Sequence, residues 1–384
     1  APMQHPAYAR EWFAFVRQTG GNMVRLHGMP HPGFFLDAAD EAGICIIDEC
    51  AVYGSGGNLA LESEEFWSHA RDHVRRLALR DRNHPSVCLW SASNEVVWKG
   101  GPAVFPHLLS LETAIREVDP TRPVSFDENK SDLGGGARIF GGHYGSCAEW
   151  RECWNGEKPL MVNEFGSLYY SGPEEPAKWG GEECFADFDS RLRACAEENT
   201  EMIAGLRAMG ASSLTPWNFV WYTLWPAFPN QPVDITPDPH TAGIKTQRIG
   251  AHSLSLNYEI APGQRLQPDA PAVQPNAAYE PMRQFYAPVA AFLRERCPGW
   301  YSRTNRVVKA DLHNDSRSGA QITLHLVSDA LGALAETSVE VPAGQSLTVD
   351  MTVSLPEIPA PQPFALTLHT KVNGVVVAQD TVHG

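Results

Sequence analysis

The sequence predicts an α/β chain: a (β/α)8 TIM barrel followed by an immunoglobulin-like β-sandwich. Three observations carry that prediction. Before about residue 285, short apolar runs alternate with amphipathic helical stretches, the pattern of βαβ units on a parallel sheet. After residue 303 the apolar residues recur every second position, the spacing of half-buried strands. Composition changes at the same place, because all 11 Trp and all 10 Tyr of the 384 residues precede residue 303. The domains read as 1–286 for the barrel and 287–384 for the sandwich.

Taken in order, residues 7–19 predict a helix and Asn22–His27 the strand after it. Pro32 and Gly33 open a helix over 33–42 that Gly43 closes, a start and stop set by fixed φ and by a residue tolerant of positive φ. ICIIDE (44–49) is the next strand. Phe66, Trp67, Ala70, Val74, Leu77 and Ala78 fall at helical spacing and predict a long helix over 64–82. Pro85 stops it, and SVCLWSASNE (86–95) reads as a buried strand. A helix over 105–118 leads to three strands, PVSFDE (123–128), ARIFGGHY (137–144) and KPLMVNEFG (158–166). The last pair in the barrel is a helix over 184–209 and ASSLTPWNF (211–219).

That makes seven barrel strands, with none before helix 7–19. The first strand is therefore expected upstream of this sequence or from a partner segment, and the 384 residues read as a piece of a longer protein. The Pro-rich stretch 226–281 is an excursion before a closing helix near 278–286. In the tail, VVKADLHNDS, AQITLHLVSD, TSVEVPAG, SLTVDMTVSL, FALTLHTKVNG and VVVAQDTV alternate as antiparallel strands, with Asn373-Gly374 as a hairpin turn.

Composition excludes several functions. With 30 Lys+Arg against 45 Asp+Glu the net charge is −15, which repels nucleic acid. No apolar run approaches the ~20 residues of a membrane span. No G-x-G-x-x-G follows the first strand, which argues against a dinucleotide fold, and no cofactor is expected. Among eight cysteines there is no C-x-x-C, so neither a zinc ribbon nor a thioredoxin-type site is expected. Cys147/Cys153 and Cys184/Cys195 stand close enough in sequence for local pairing. His69 and His73 lie four apart on a helix without the Glu of H-E-x-x-H, so no metal is expected and a solvated helix face is the simpler reading.

Barrel active sites sit at the C-terminal ends of the strands. The polar residues there are Arg25 and His27, Asp48 and Glu49, Asn94 and Glu95, Asp127 and Glu128, His143 and Tyr144, Asn163 and Glu164, and Trp217 and Asn218. Aromatic residues crowd the same loops: Tyr53, Trp98, Tyr169, Tyr170, Trp221 and Trp225. Carboxylates beside aromatic platforms suit sugar chemistry. A glycosidase needs one carboxylic acid to protonate the leaving oxygen and a second carboxylate on the other side; Glu95 and Glu164 are those candidates. Asp48 reads as structural, and Asp127 and Glu128 as residues of a solvated loop. Glu49 is balanced between a structural ion pair and a substrate contact, and His27 and His143 between packing and sugar binding. Trp90, inside its strand, reads as core.

RNHPSVCLWSASNE (82–95) resembles the acid/base motif of glycoside hydrolase family 2, and KPLMVNEFG (158–166) its nucleophile strand. NMVRLHGMPHPGFFLDAADEAGICIIDE (22–49) is similar to that family's second and third barrel strands. The resemblance covers most of 20–220, and the order Asn94-Glu95 then Glu164 matches the wider clan. It implies a retaining β-glycosidase of the β-galactosidase and β-glucuronidase type. Glu95 would be general acid and then base, and Glu164 the nucleophile. Asn94 would bond the sugar 2-hydroxyl, Tyr144 the nucleophile, and Arg25 would stand near that carboxylate. Trp217 would line the sugar subsite, and His27, His143 and Glu49 complete the candidate substrate-binding set. Arg25-Leu-His27-Gly-Met-Pro30 departs from the family's usual strand-2 spacing, and no metal motif of the family is found.

The expected partner is an oligosaccharide or polysaccharide substrate, with a homo-oligomer or missing N-terminal segment as further company. No export signal is visible, although polysaccharide breakdown favours a secreted or periplasmic setting. No basic cluster for a uronate carboxylate is evident; Lys99, Lys130 and Arg138 are the cations nearest in sequence. Two other readings stand beside the glycosidase: a carbohydrate-binding pseudoenzyme or inactive fragment, and an endo-acting polysaccharide hydrolase of the same clan.

Overall fold

A computed structural model describes residues 6–54, 58–166, 174–186, 188–217, 275, 277–296 and 298–384. The chain divides into two compact units, one of Ala1–Met202 with Met209–Tyr279, the other of Ile203–Ala208 with Glu280–Gly384. Among the described residues no helix is long and apolar enough to cross a membrane.

The first unit is a parallel α/β region. Its elements are α1 (Pro6–Gln18), β1 (Met23–Leu26), α2 (Gly33–Ala42), β2 (Cys45–Glu49), α3 (Glu64–Asp81), β3 (Val87–Asn94), α4 (Val97–Gly100) and α5 (Phe105–Arg116). Then come β4 (Val124–Asp127), β5 (Phe140–His143), α6 (Cys147–Cys153), β6 (Leu160–Phe165), α7 (Glu174–Gly180), α8 (Phe188–Met209, apart from Ile203–Ala208) and β7 (Ser213–Pro216). The helices form where the sequence supplies one apolar face. In α3 the hydroxyl of Ser63 accepts from the Phe66 amide, Glu64 and Glu65 fill the first turn, and Trp67, Ala70, Val74, Leu77 and Ala78 are buried; cap, dipole and stripe act together. α2 ends because Gly43 adopts a left-handed conformation and returns its amide to Ala39 and Asp40.

The seven strands form two parallel sheets, ordered β1-β2-β3-β4 and β5-β6-β7. β4 also runs beside β5, and β7 beside β1. Both faces of the strands are covered. Ile46, Val87, Trp90 and Phe126 join the cluster under the helices. Ile47, Leu89, Ile139 and Met161 meet on the opposite face, with Met23 against them. Burial on both sides explains why these strands read as continuous apolar runs. Register then aligns the polar ends: Leu26 stands opposite Asp48, Glu49 opposite Ser91, Asn94 opposite Asp127 and His143 opposite Glu164. The ladders are irregular near those ends, between Ser91 and Asn94, Gly142 and His143, and Val162 and Phe165. Such breaks redirect side chains.

The second unit holds α9 (Tyr279–Phe285) from Glu280 onward and seven strands: β8 (Val289–Leu293), β9 (Asn305–Asn314), β10 (Ala320–Ser328), β11 (Gly332–Val341), β12 (Gln345–Ser354), β13 (Ala365–Val372) and β14 (Val375–His383). They build antiparallel sheets ordered β11-β10-β13-β14 and β12-β9-β8. Alternate residues such as Leu312, Ile322, Leu324, Leu326, Met351, Val353 and Leu368 form one core. Asp380 and Thr370 bridge the sheets by accepting the amides of Leu293 and Ala291. Four elements went unread in the sequence, among them the short helices α4 and α7. β8 is an apolar run of five residues without alternation, and α6 is a helix of seven.

Candidate active site

Backbone geometry sets up the site. Glu95 follows β3 with φ +52°, and Tyr144 follows β5 with φ +54°, a region that non-glycine residues enter only when their surroundings enforce it. For Tyr144 the amide donates to the carbonyl of Glu164 at 2.6 Å. For Glu95 the amide donates to the Asp127 carbonyl at 2.9 Å, while the preceding Asn94 carbonyl accepts from Gly54. Gly54 is required there: a Cβ on it would lie 2.2 Å from the Glu95 carbonyl oxygen.

Glu164, at the end of β6, is held on both carboxylate oxygens. Arg25 Nη1 donates to Oε1 at 2.6 Å and Tyr144 Oη donates to Oε2 at 2.7 Å. Burial pushes the Tyr144 hydroxyl far above its ordinary range, and the charge of Glu164 pushes it further, so it remains a donor. Glu95 is partly exposed, and its Oε1 lies 3.0 Å from His143 Nδ1. The other nitrogen of that ring lies 3.6 Å from Glu164 Oε1 and 3.9 Å from Asp127 Oδ1. Burial alone would strip the His143 proton, but Glu164, Asp127 and Glu95 outweigh it and raise the imidazole to about 9. The three carboxylates around His143 thus favour its cationic form. One ligand-type atom from each of Glu95, His143 and Glu164 lies within 4.8 Å of the others. Such a cluster has the shape of a cation site. Within it, Arg25 already donates to Glu164 Oε1, and the carboxylates around His143 favour the charged form of its ring.

Arg25 ties the floor together. It donates through Nε to Glu49 Oε2 at 2.7 Å and through Nη2 to Asn94 Oδ1, and Nε lies 3.7 Å from Asp127 Oδ2. Glu49 is fully buried and also accepts the Gly28 amide and the Ser91 hydroxyl. Burial would raise Glu49, but Arg25 and His27 hold it below the usual carboxylate range. Asp127 is likewise held well below its ordinary range: Arg25, His143 and Ser91 overcome its burial. Because Asn94 Oδ1 faces the guanidinium, its amide nitrogen is fixed as a donor. That nitrogen is buried and has no hydrogen-bond partner among the described residues. His27 Nδ1 is 3.3 Å from Glu49 and 3.6 Å from Glu164, and its ring packs edge-to-face on Trp217 at 4.4 Å and Tyr53 at 5.4 Å.

The structure thus gathers Arg25, His27, Glu49, Asn94, Glu95, His143, Tyr144, Glu164 and Trp217 around one point. Asn218, Tyr169, Tyr170, Trp221, Trp225 and most of 226–281 lie outside the described residues. Three expectations need correction. Asp127 and Glu128 are not a solvated loop; both are fully buried, because Asn163, Ser91 and Ser93 supply hydrogen bonds that offset the loss of water. Neither Cys147/Cys153 nor Cys184/Cys195 forms a disulfide, and Cys147 turns instead toward Met202. His73 is not simply solvated, since it accepts the Ala51 amide at 3.0 Å. Among the cations considered for a uronate, Lys130 lies over the Trp150 ring and 3.4 Å from Glu149, and Arg138 stands 3.8 Å from Glu112.

Residues 8–167 match the family described as glycosyl hydrolases family 2, TIM barrel domain. A β-glucuronidase of Rattus norvegicus is 35% identical over 122 residues, covering 30% of this chain and 18% of the relative. One of Bacteroides fragilis is 28% identical over 128 residues, covering 33% and 18%. The chain therefore spans less than a fifth of the curated relatives it matches. Among solved structures, a β-D-mannosidase of Dictyoglomus thermophilum superposes with TM-score 0.59 at 13% identity, covering 98% of this chain and 48% of that one. A Bacteroides uniformis β-glucuronidase gives 0.53 at 15% identity, covering 99% and 43%; identities this low speak for the fold alone. The family match spans β1 to β6 and both strand-end glutamates, so residues 8–167 are similar to the TIM barrel domain of glycosyl hydrolase family 2.

Proposed function

We propose that this chain is the catalytic part of a retaining β-glycosidase, with Glu164 as nucleophile and Glu95 as acid/base. The supporting observation is the spacing of the two carboxylates, whose oxygens approach within 4.8 Å beside His143. Retaining enzymes hold the pair about 5–5.5 Å apart, whereas inverting enzymes leave about 6.5–9.5 Å for a water. In the first step a Glu164 oxygen attacks the anomeric carbon while Glu95 gives its proton to the departing glycosidic oxygen. The ester that forms has lost the carboxylate charge. In the second step Glu95 takes a proton from water, the water oxygen bonds to the anomeric carbon, and Glu164 leaves as carboxylate. Arg25 and Tyr144 supply the donors that receive that charge again. Asn94 offers its unpartnered amide to the sugar 2-hydroxyl, and His27 with Trp217 forms a wall for the ring.

The same reading takes the seven parallel strands as a barrel completed by one further strand, and the second unit as an immunoglobulin-like sandwich. The curated relatives are β-glucuronidases, so aryl β-glucuronides are the first substrates to try, ahead of galactosides and mannosides. The test is a panel of 2-deoxy-2-fluoro-β-glycosides with good leaving groups, followed by peptide mapping. The expected product is a glycosyl ester on the peptide containing Glu164. A label on another residue overturns the assignment, and tight sugar binding without label or turnover supports a binding pseudoenzyme. Internal cleavage of polysaccharide points to an endo-hydrolase.

A further inference from the structure

Glu128 takes no part in the reaction as drawn, yet it grips both sides of the residue that does. It follows β4 directly and is fully buried. Its Oε1 accepts the Ser93 hydroxyl at 2.6 Å, and its Oε2 accepts the Val97 amide at 2.8 Å. Ser93 and Val97 stand two residues before and two residues after Glu95. Between them the chain passes through the left-handed conformation of Glu95, φ +52°. From the same strand end the Asp127 carbonyl accepts the Glu95 amide. The turn is thus held by β4 through one main-chain bond and one side-chain clasp. A buried carboxyl is costly unless its oxygens are satisfied, and here its two oxygens meet donors from the two flanks of a single turn.

We infer that Glu128 is a positioning residue, which clasps the 93–97 turn and thereby fixes the carboxyl of Glu95 against His143 and the leaving-group oxygen. This rests on Glu95 being the acid/base. A two-acceptor group is what the geometry requires. Glutamine preserves it in part, because its oxygen accepts the Val97 amide while its nitrogen donates to a Ser93 hydroxyl turned to accept. Alanine removes both arms.

The test compares kcat/KM of the full chain and of Glu128→Gln, Glu128→Ala, Ser93→Ala and Glu95→Gln on two aryl glycosides of one sugar. A 2,4-dinitrophenyl glycoside needs no proton on departure; a phenyl glycoside does. Glu128→Ala is expected to lose at least tenfold on the phenyl glycoside and to stay within about threefold on the dinitrophenyl one, consistent with the ~10²–10⁴-fold that general acid help supplies. Ser93→Ala should show the same bias more weakly, and Glu128→Gln should recover most of the loss. Equal losses on both substrates, or none, overturn the inference. Glu95→Gln is the control: if it lacks the leaving-group bias, the acid assignment itself falls, whatever Glu128 does. Hydrogen exchange at the Val97 amide reads the clasp without turnover. It should quicken at least tenfold in Glu128→Ala and little in Glu128→Gln, and an unchanged rate in Glu128→Ala rejects the clasp.

Discussion

Arg25 carries more of the site than any other single side chain. Its guanidinium donates to Glu49, Glu164 and Asn94 and lies within ion-pair distance of Asp127, with only 3% of its side chain exposed. Burial would lower its pKa, but the three surrounding carboxylates raise it well above the ordinary arginine value. A planar fork serves several acceptors in fixed directions, which a lysine ammonium does not. The Ser91 hydroxyl, with one proton, faces both Glu49 and Asp127, so it cannot replace the arginine's charge. Arg25→Met should therefore leave Glu49 and Asp127 as buried charges without their main counterion. The expected loss in urea unfolding is about 3–5 kcal/mol, the range for breaking a buried pair from one side. A loss below about 1 kcal/mol would mean that the carboxylates share protons instead.

At the scale of elements, strand ends and helix starts do the placing. Tyr144 lies between β5 and α6, and α6 begins with a complete capping box: Ser146 accepts the Glu149 amide, and the Glu149 side chain accepts the Ser146 amide. Trp150 of the same helix is fully buried and packs edge-to-face on Phe140 of β5. Ser146→Ala should cost about 1 kcal/mol, read as a lower urea midpoint, with faster hydrogen exchange across 144–153; unchanged exchange there would show that the cap does not hold this segment. The helices and strands that were legible in the sequence have strong periods or long apolar runs, such as α3 and β3. Glu95 and Glu164 were legible because each closes such a run in a recognisable motif. Glu128 was not, for a local sequence reads the same whether a strand-end carboxylate meets water or the Ser93 hydroxyl across a ladder. The bulge between Ser91 and Asn94 that brings those groups level is likewise a property of the pair of strands. α6 and β8 were missed because a helix of seven residues and an unalternating strand of five carry too little pattern to separate from loop.

For the whole molecule, the buried titratable groups set a pH optimum of stability. Glu49, Asp127, Asp40 and Asp119 are held low in the folded chain: burial opposes this, but arginine, histidine and hydroxyl partners outweigh it. Such groups contribute stability above their unfolded values of about 4, and lose it as pH falls through the folded ones. His31, His73, His313 and His369 are lowered chiefly by burial, so their contribution is present above about 6.5 and fades on acidification. Three groups with folded values between about 7 and 9 act the other way. His143 is raised to about 9 by its carboxylate neighbours against burial, Glu128 to about 7 by burial, and Asp48 upward by burial and by the facing Asp81. A raised group stabilises fully below its unfolded pKa and loses that contribution as pH rises through the folded one. The melting temperature should therefore peak near pH 6–7 and fall toward pH 9 as well as toward pH 4. The alkaline limb has a specific test. Both Asp48 carboxylate oxygens are buried without a hydrogen-bond donor among the described residues, so ionising this group is a net cost. Asp48→Asn keeps the shape and removes the titration. Melting of the full chain at pH 5.5 and at pH 8.5 should show a smaller drop between the two for Asp48→Asn than for the unsubstituted chain. An equal drop would place the alkaline loss on His143 and Glu128 instead.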